Sequence, residues 1–219
     1  MFIQLTNTTK RIKGSTVIDS VSITLKSGCI TGLQGINGSG KTMLMRLISG
    51  LIKPTSGTVS IDGKVLWRDI SFPDSIGVLI ENPAFLENYS AFENLKLIAS
   101  VSATASDDKI RKSIAQVGLD PNSKKKYKKF SLGMKQRLGI AAAVMESPKI
   151  LLLDEPTNAL DSTGVEMIKE IVQEKKQEGT LVVITCHDAA ILTELSDEIY
   201  CLAQGKVVDH IVCTADAKG

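Results

Sequence analysis

Alternating apolar and polar residues characterise the first third of the chain. In the segment Val17–Leu25, every second residue from Val21 onward is apolar, which predicts a half-buried strand. Phe2–Thr6 and Thr58–Gly63 also have strand character, and the latter ends in an Asp-Gly turn. These segments predict an antiparallel β element near the N-terminus.

Continuous apolar runs predict a second kind of strand. Ile150–Leu153 and Leu181–Ile184 contain no polar residue, which is typical of strands buried on both faces of a parallel sheet. Cys29–Gln34 and Ser75–Ile80 are further predicted strands. Helical patterns are predicted for Ala91–Val101, Ser106–Val117, Ser131–Met145 and Thr163–Gln177.

Composition narrows the possible partners. The chain has 219 residues, is 43% hydrophobic and has a net charge of +2, so it can bury a sizeable core. The balanced charge and the 4% aromatic content argue against a nucleic-acid partner. No stretch approaches 18 apolar residues, so another chain must supply any membrane spans. The basic run Lys124–Lys129 is either a solvated loop or a surface that attracts anionic lipid or an acidic partner.

One stretch carries the clearest chemistry. Residues Gly35 to Thr42 fit the phosphate-binding pattern G-x-x-x-x-G-K-[ST], between a predicted strand and a helix that begins at Met43. The glycines let the backbone approach a ligand, and the amide groups and helix N-terminus favour an anion. Lys41 supplies positive charge for phosphates, and the Thr42 hydroxyl is placed to bind Mg²⁺.

This loop and the order of elements together predict the fold class. We expect an α/β fold, a P-loop NTPase core with a mostly parallel sheet, an N-terminal antiparallel β element and an inserted helical subdomain. We expect one domain over residues 1–219, with the core at 1–82 and 149–219 and the helical subdomain at about 83–148.

Two acids follow a buried strand. Asp154 and Glu155 come directly after Ile150–Leu153, and ligands of open α/β sheets bind at the carboxyl ends of strands. Asp154 is placed to hold Mg²⁺ beside Thr42, and Glu155 is free to accept a proton from a water molecule. The alternative is a strand exit with two solvated acids.

A third segment has two interpretations that its residues alone do not separate. Ser131 is a predicted N-cap, and Gly133 leaves the backbone near the helix start uncovered. The segment is either a second phosphate-binding helix N-terminus or simply a capped helix that packs through Leu138 and its neighbours.

The order of these motifs resembles an ATP-binding cassette (ABC) ATPase over essentially the whole chain. The series is the phosphate loop, Ser131-Leu132-Gly133, Leu151-Leu152-Leu153-Asp154-Glu155-Pro156, Asn158-Ala159-Leu160-Asp161, and His187 after an apolar strand. Within that family, Ser131 to Arg137 and Ile76 to Pro83 resemble the bacitracin-resistance and lantibiotic-immunity exporters.

The resemblance implies roles for individual residues. Those implied to bind ATP are Ile12, Gly35, Asn37, Gly38, Ser39, Gly40, Lys41, Thr42, Met43, Ser131 and Gly133. Those implied to hold Mg²⁺ are Thr42, Glu81 and Asp154. Glu155 would be the general base, and His187 would contact the γ-phosphate and orient the attacking water, although it could also be a polar residue that merely ends a strand. Ser131, Gly133 and Asp161 would lie at a dimer interface.

Two positions depart from the family pattern. Ile12 stands where an aromatic ring usually stacks on adenine, and losing that stacking costs roughly 0.5–1.5 kcal/mol, so we expect weak adenine selectivity. Glu81 stands where glutamine is usual. It is either a stronger metal ligand than glutamine or a solvated side chain.

The implied function is to power export of an antimicrobial peptide or a similar compound through separate membrane subunits. The implied cofactors are ATP and Mg²⁺, and the implied partners are transmembrane permease subunits and a second ATPase subunit, as a homodimer with ATP. The implied location is the cytoplasmic face of the cell membrane. The alternative is a soluble ABC ATPase or a nucleotide-dependent dimerisation switch that is not coupled to transport.

Overall fold

The computed structural model describes residues 1–81, 83–102 and 105–213. Asn82, which belongs to the segment that resembles the exporter ATPases, and residues 214–219 of the predicted core lie outside the described residues. The strands of the described part are β1 (Phe2–Ile12), β2 (Ser15–Lys26), β3 (Ile30–Gln34), β4 (Ser56–Ile61), β5 (Lys64–Val65), β6 (Ile76–Leu79), β7 (Ile150–Leu153), β8 (Leu181–Thr185), β9 (Glu198–Ala203) and β10 (Lys206–Val212).

Five of the six α-helices in the described residues have counterparts in the prediction. The six helices are α1 (Lys41–Ile48), α2 (Ala91–Ser102), α3 (Asp107–Gln116), α4 (Leu132–Val144), α5 (Ser162–Gln177) and α6 (Ala189–Leu195), with a short 3-10 helix at Tyr127–Lys129. Polar side chains begin several of them. Ser106 accepts a hydrogen bond from the Lys109 amide at the start of α3, and Asp188 accepts from the first turn of α6.

Two sheets form the framework. The N-terminal sheet has the order β2-β1-β4-β5 and is antiparallel. The larger sheet has the order β10-β9-β3-β8-β7-β6 in the described residues, with β9 to β6 parallel and β10 antiparallel at the edge. The predicted α/β fold with a mostly parallel sheet and an N-terminal antiparallel element is confirmed.

The continuous apolar runs have a direct structural explanation. Leu151 and Leu153 of β7 belong to a hydrophobic cluster with α2–α6, whereas Ile150 and Leu152 belong to a second cluster with α1 and the antiparallel sheet. Because successive side chains of a strand point to opposite faces, a strand between two cores needs an apolar residue at every position.

The structure also corrects and extends the sequence prediction. The strands β1 and β2 are longer than expected, and β5, α6, β9 and β10 had no counterpart in the prediction. Strand β10 is almost entirely exposed along its length, so no burial pattern marks it. The division into a core and a helical subdomain stays a prediction, because one hydrophobic cluster includes residues of both parts.

A glycine sets how closely α4 packs against the parallel sheet. Gly77 lies in β6, and a Cβ atom there would overlap the carbonyl oxygen of Ala143 near the end of α4 and lie 2.9 Å from Pro148 Cγ. Only a residue without a side chain lets the helix backbone approach the strand this closely. This contact fixes α4, whose first turn carries Ser131 and Gly133.

We expect Gly77→Ala to lower the free energy of unfolding by about 3 kcal/mol, because the inserted methyl group must displace the backbone of α4. Guanidinium denaturation measures the change. Gly179→Ala is the control, because open space surrounds position 179. Its loss in free energy of unfolding should come only from the left-handed φ of 82° and should be about 1–2 kcal/mol. Equal losses in the two variants would contradict the close approach of α4 to β6.

Candidate functional site

The phosphate loop joins β3 to α1 in a conformation that only glycine adopts easily. Gly38 and Gly40 have φ values of 80° and 112°. A Cβ atom at Gly40 would lie 2.9 Å from Ile18 Cδ1 and 3.0 Å from the Val17 carbonyl oxygen. The ammonium group of Lys41 donates to the carbonyl oxygens of Gly35 at 2.7 Å and Ile36 at 3.3 Å, so it lies over the loop.

A chain of hydroxyl and carboxylate groups crosses the strand ends beside the loop. Thr42 Oγ1 donates to Asp154 Oδ2 at 2.6 Å, and Thr185 Oγ1 donates to Asp154 Oδ1 at 2.8 Å. Asp154 and Thr185 are both buried. The sequence prediction that Thr42 and Asp154 lie side by side agrees with this geometry.

Glu155 follows Asp154 in an unusual environment. Its φ is 50°, a left-handed conformation that is uncommon for a residue with a side chain. Both carboxylate oxygens are buried and have no hydrogen-bond partner among the residues that the structure describes. Burial raises the pKa of the Glu155 carboxyl, while the charges of His187 and Lys41 act in the opposite direction.

His187 lies next to this carboxylate. Its Nδ1 atom is 3.6 Å from Glu155 Oε1, and its side chain is 57% exposed. An exposed imidazole beside a buried carboxylate can contact a ligand and the acid together.

These groups share one open cavity of about 300 Å³ at the carboxyl ends of β3 and β7. Its lining consists of Val17, Asn37, Gly38, Gly40, Lys41, Thr42, Met43, Asp154, Glu155 and His187. The two remaining residues of the predicted loop set, Gly35 and Ser39, are not part of the lining. Ser39 is buried, and its hydroxyl oxygen has no hydrogen-bond partner within the described residues.

Ile12 and Glu81 are not part of the lining of this cavity. Ile12 is 38% exposed and is not part of the lining, where Val17 supplies the aliphatic contact instead. The Glu81 carboxylate is held 2.5 Å from an Arg46 guanidinium nitrogen, and both residues border a different cavity with Leu51 and Ile52. The structure therefore does not bring Glu81 to Thr42 and Asp154, and its role at the metal stays a prediction.

The start of α4 is also separate from the cavity. Ser131 is exposed and accepts a hydrogen bond from the Met134 amide at 3.2 Å, so it caps the helix as predicted. Gly133 allows a close approach of the next loop, because a Cβ atom there would lie 2.8 Å from the Ala159 carbonyl oxygen. Neither residue lines the cavity of its own chain.

Asp161 has structural partners within its own chain. It caps α5 by accepting from the Gly164 amide at 3.0 Å, and its Oδ1 atom is 3.2 Å from an Arg137 guanidinium nitrogen. The Gly164 amide holds the pKa of the Asp161 carboxyl below its usual value. Arg137 also donates to the Val117 carbonyl oxygen at 2.9 Å, so it links α3, α4 and the start of α5.

Sequence reasoning missed two residues that support the acids. Thr185 contacts both acidic residues, since its hydroxyl oxygen also accepts from the Glu155 amide at 2.7 Å. Gln136 of α4 donates to the carbonyl oxygens of Glu155 at 3.1 Å and Pro156 at 3.2 Å. The sequence signal that could have pointed to Thr185 is its position as a single polar residue directly after the apolar run Leu181–Ile184.

The arrangement fits a phosphorylated ligand with a divalent cation. The glycine loop and Lys41 present positive groups, and Glu155 borders the same cavity. Among the described residues, no cluster of three or more His, Cys, Asp or Glu side chains could hold a metal by itself. A site with one carboxylate and one hydroxyl matches Mg²⁺, which usually takes its other ligands from substrate phosphates and water.

None of the helices in the described ranges is long and apolar enough to cross a membrane.

Comparison with known proteins identifies relatives over most of the chain. The sequence profile of the family described as ABC transporter matches residues 18–158. The chain is 50% identical to the uncharacterized ABC transporter ATP-binding protein YybJ of Bacillus subtilis (strain 168), over 89% of both chains. It is 36% identical to the lantibiotic transport ATP-binding protein SrtF of Streptococcus pyogenes, over 94% of this chain and 89% of SrtF.

A further relative matches the other predicted group of exporters. The bacitracin transport ATP-binding protein BcrA of Enterococcus faecalis is 36% identical over 95% of this chain and 68% of BcrA. The resemblance to bacitracin and lantibiotic exporter ATPases is therefore confirmed.

A solved structure agrees with these relatives. The dimeric post-hydrolysis state of the ATP-binding cassette MJ0796 bound to ADP and Pi has a TM-score of 0.86 and 25% sequence identity, covering 97% of this chain and 99% of that chain. Together with the phosphate loop and the two acids in one cavity, these matches identify the family of the chain. The chain belongs to the ABC transporter family, among its ATP-binding subunits.

Proposed function

We propose that this chain hydrolyses ATP with Mg²⁺ and thereby powers export through separate membrane subunits. The observation that carries the proposal is Glu155, which borders the cavity beside Lys41 and His187 while both of its carboxylate oxygens are buried without a hydrogen-bond partner among the described residues. A structural acid is normally paired when buried. An acid whose pKa is raised by burial, beside His187 and Lys41 at a ligand cavity, is typical of a catalytic group.

The roles of the residues follow from their positions. Lys41 and the loop amides bind the phosphates, and Thr42 and Asp154 hold Mg²⁺, which neutralises phosphate charge when it is bound. Glu155 accepts a proton from the attacking water, and His187 orients that water against the terminal phosphate. Glu81 joins the metal ligands only if its ion pair with Arg46 opens, and Ile12 contacts adenine only if the β1–β2 turn moves over the cavity.

A second copy of the chain completes the site in this proposal. Ser131 and Gly133 are not part of the cavity in their own chain, although the helix start at Ser131 is exposed and suited to phosphate. In a head-to-tail pair, this segment of one copy contacts the terminal phosphate in the other copy, with Asp161 at the interface. The dimeric form of MJ0796 supports this arrangement.

The names of the relatives and an exposed apolar surface on α2 support a membrane partner. SrtF and BcrA are named as transport ATP-binding proteins, so permease subunits are the expected partners, with the chain at the cytoplasmic face of the membrane. Helix α2 leaves Leu97, Ile98 and Val101 exposed, and a contiguous apolar face of this kind supports a protein partner. The transported compound is proposed to be an antimicrobial peptide or a similar substance.

ATP hydrolysis by the purified chain tests the catalytic proposal. We expect a rate per subunit that rises with protein concentration, because two copies form each site. Glu155→Gln should lower kcat at least about 100-fold, since general-base catalysis contributes about 10²–10⁴-fold. Ser131→Arg should also lose most of its activity, because the arginine displaces the helix start from the terminal phosphate bound to the other copy.

Glu170→Gln is the matched control, because this exposed glutamate lies on the outer face of α5. It should hydrolyse ATP like the unmodified chain. A Glu155→Gln variant with unchanged kcat would refute the role of Glu155, and a rate independent of concentration would refute the dimer.

Burial of the Glu155 carboxylate also lowers the free energy of unfolding. We expect Glu155→Gln without nucleotide to melt about 2–4 °C above the unmodified chain, the shift produced by about 1 kcal/mol in a protein of this size. The reason is that an amide costs less to bury than a charged carboxylate. Calorimetry at neutral pH measures the difference, and Glu170→Gln should melt within a degree or so of the unmodified chain. A lower melting temperature for Glu155→Gln would show that the carboxylate is satisfied in the folded state.

A further inference from the structure

A single buried hydroxyl connects the two acids of the site. Thr185 is the last residue of β8 and is 0% exposed. Its Oγ1 atom donates to Asp154 Oδ1 at 2.8 Å and accepts from the Glu155 backbone amide at 2.7 Å. The hydroxyl proton is thus committed to Asp154, and a lone pair of the same oxygen is committed to Glu155.

These two bonds restrict different parts of the site. Asp154 has its other oxygen, Oδ2, on Thr42 at 2.6 Å, so the carboxylate is held at both ends and its plane is fixed. Glu155 has a left-handed φ of 50°, a conformation that persists only when the surroundings hold it. The bond from its amide to Thr185 is such a restraint, and it sets the direction in which the Glu155 side chain leaves the backbone.

We propose that Thr185 is a positioning residue for phosphoryl transfer, which aligns the metal-holding carboxylate of Asp154 and the carboxylate of Glu155 relative to one another. This inference rests on the proposed function. Thr185 is not part of the cavity lining, and it acts through the two acids. A misplacement of about 1 Å in such groups lowers the rate of a reaction by about 100-fold.

The chain offers a matched control at the other end of the same strand. Thr180 immediately precedes β8, is 4% exposed, and donates from its hydroxyl to the Pro148 carbonyl oxygen at 3.1 Å. Thr180→Val and Thr185→Val each remove one buried hydroxyl without changing the shape of the side chain. Both should lower the melting temperature, and a purely structural role predicts no further difference between them.

The test compares Thr185→Val, Thr185→Ser and Thr180→Val in steady-state hydrolysis and in nucleotide binding. For Thr185→Val we expect kcat to fall about 100-fold, with KM for ATP within about twofold. Thr185→Ser keeps the hydroxyl and should retain kcat within about threefold. Thr180→Val should retain kcat at temperatures well below its melting transition.

A second readout does not depend on turnover. The affinity for a non-hydrolysable ATP analogue is measured with and without Mg²⁺ by calorimetry. In Thr185→Val the affinity without Mg²⁺ should be unchanged, but the gain on adding Mg²⁺ should fall at least about fivefold, because the Asp154 carboxylate is no longer fixed. If Thr185→Val does not fold, Thr185→Ala replaces it in both measurements.

Three results would overturn the inference while the proposed function stands: full kcat in Thr185→Val, an equal loss in Thr185→Ser, or an equal loss in Thr180→Val. If the unmodified chain binds the analogue but does not hydrolyse ATP, the proposed function fails, and the Mg²⁺-dependent gain alone decides the role of Thr185. If the unmodified chain binds no nucleotide, both proposals fail.

Discussion

The register of three parallel strands is the constraint on which the site depends. Leu33 of β3 pairs with Thr185 of β8, and Ile184 of β8 pairs with Leu153 of β7. This register brings the phosphate loop, Thr185 and the two acids to one edge of the sheet. A shift of β8 by one residue relative to β7 would turn the Thr185 side chain to the opposite face of the sheet. Its hydrogen bond to Asp154 would then be lost. The apolar side chains that fill both cores hold the strands in this register, and the register aligns the polar groups at the strand ends.

The site contains a buried charged group without hydrogen-bond partners. Buried polar side chains such as Thr180 and Asn94 have partners within the chain, whereas the Ser196 hydroxyl has none among the described residues. Glu155 has a strained backbone and two buried oxygens without partners in the described ranges. Proteins commonly accept such a loss of stability where a reactive group is needed. Gln136 adds a restraint from α4, so the helix that begins at Ser131 is tied to the turn that carries Glu155.

The sequence predicted the parts of the site that are continuous along the chain. The phosphate loop and the pair Asp154–Glu155 are local patterns, and their place at the ends of β3 and β7 follows from the sheet. Thr185 could not be assigned, because its role depends on the register between β8 and β7, which is not visible in one sequence. Glu81 is a similar case, because its partner Arg46 lies on α1 and nothing in the sequence indicates that ion pair. Asp161 was predicted at a dimer interface, and the sequence did not show its bonds to Gly164 and Arg137.

In the proposed dimer, each catalytic site combines the cavity of one copy with the α4 start of another. Mixing two inactive variants tests this directly, with Lys41→Ala disabling the phosphate loop and Ser131→Arg disabling the helix start. A mixed pair has one intact site, made of the cavity from the Ser131→Arg chain and the helix start from the Lys41→Ala chain. Because of this intact site, the mixture should regain ATP hydrolysis that neither variant shows alone. A mixture as inactive as its components, although mixed pairs form, would contradict it.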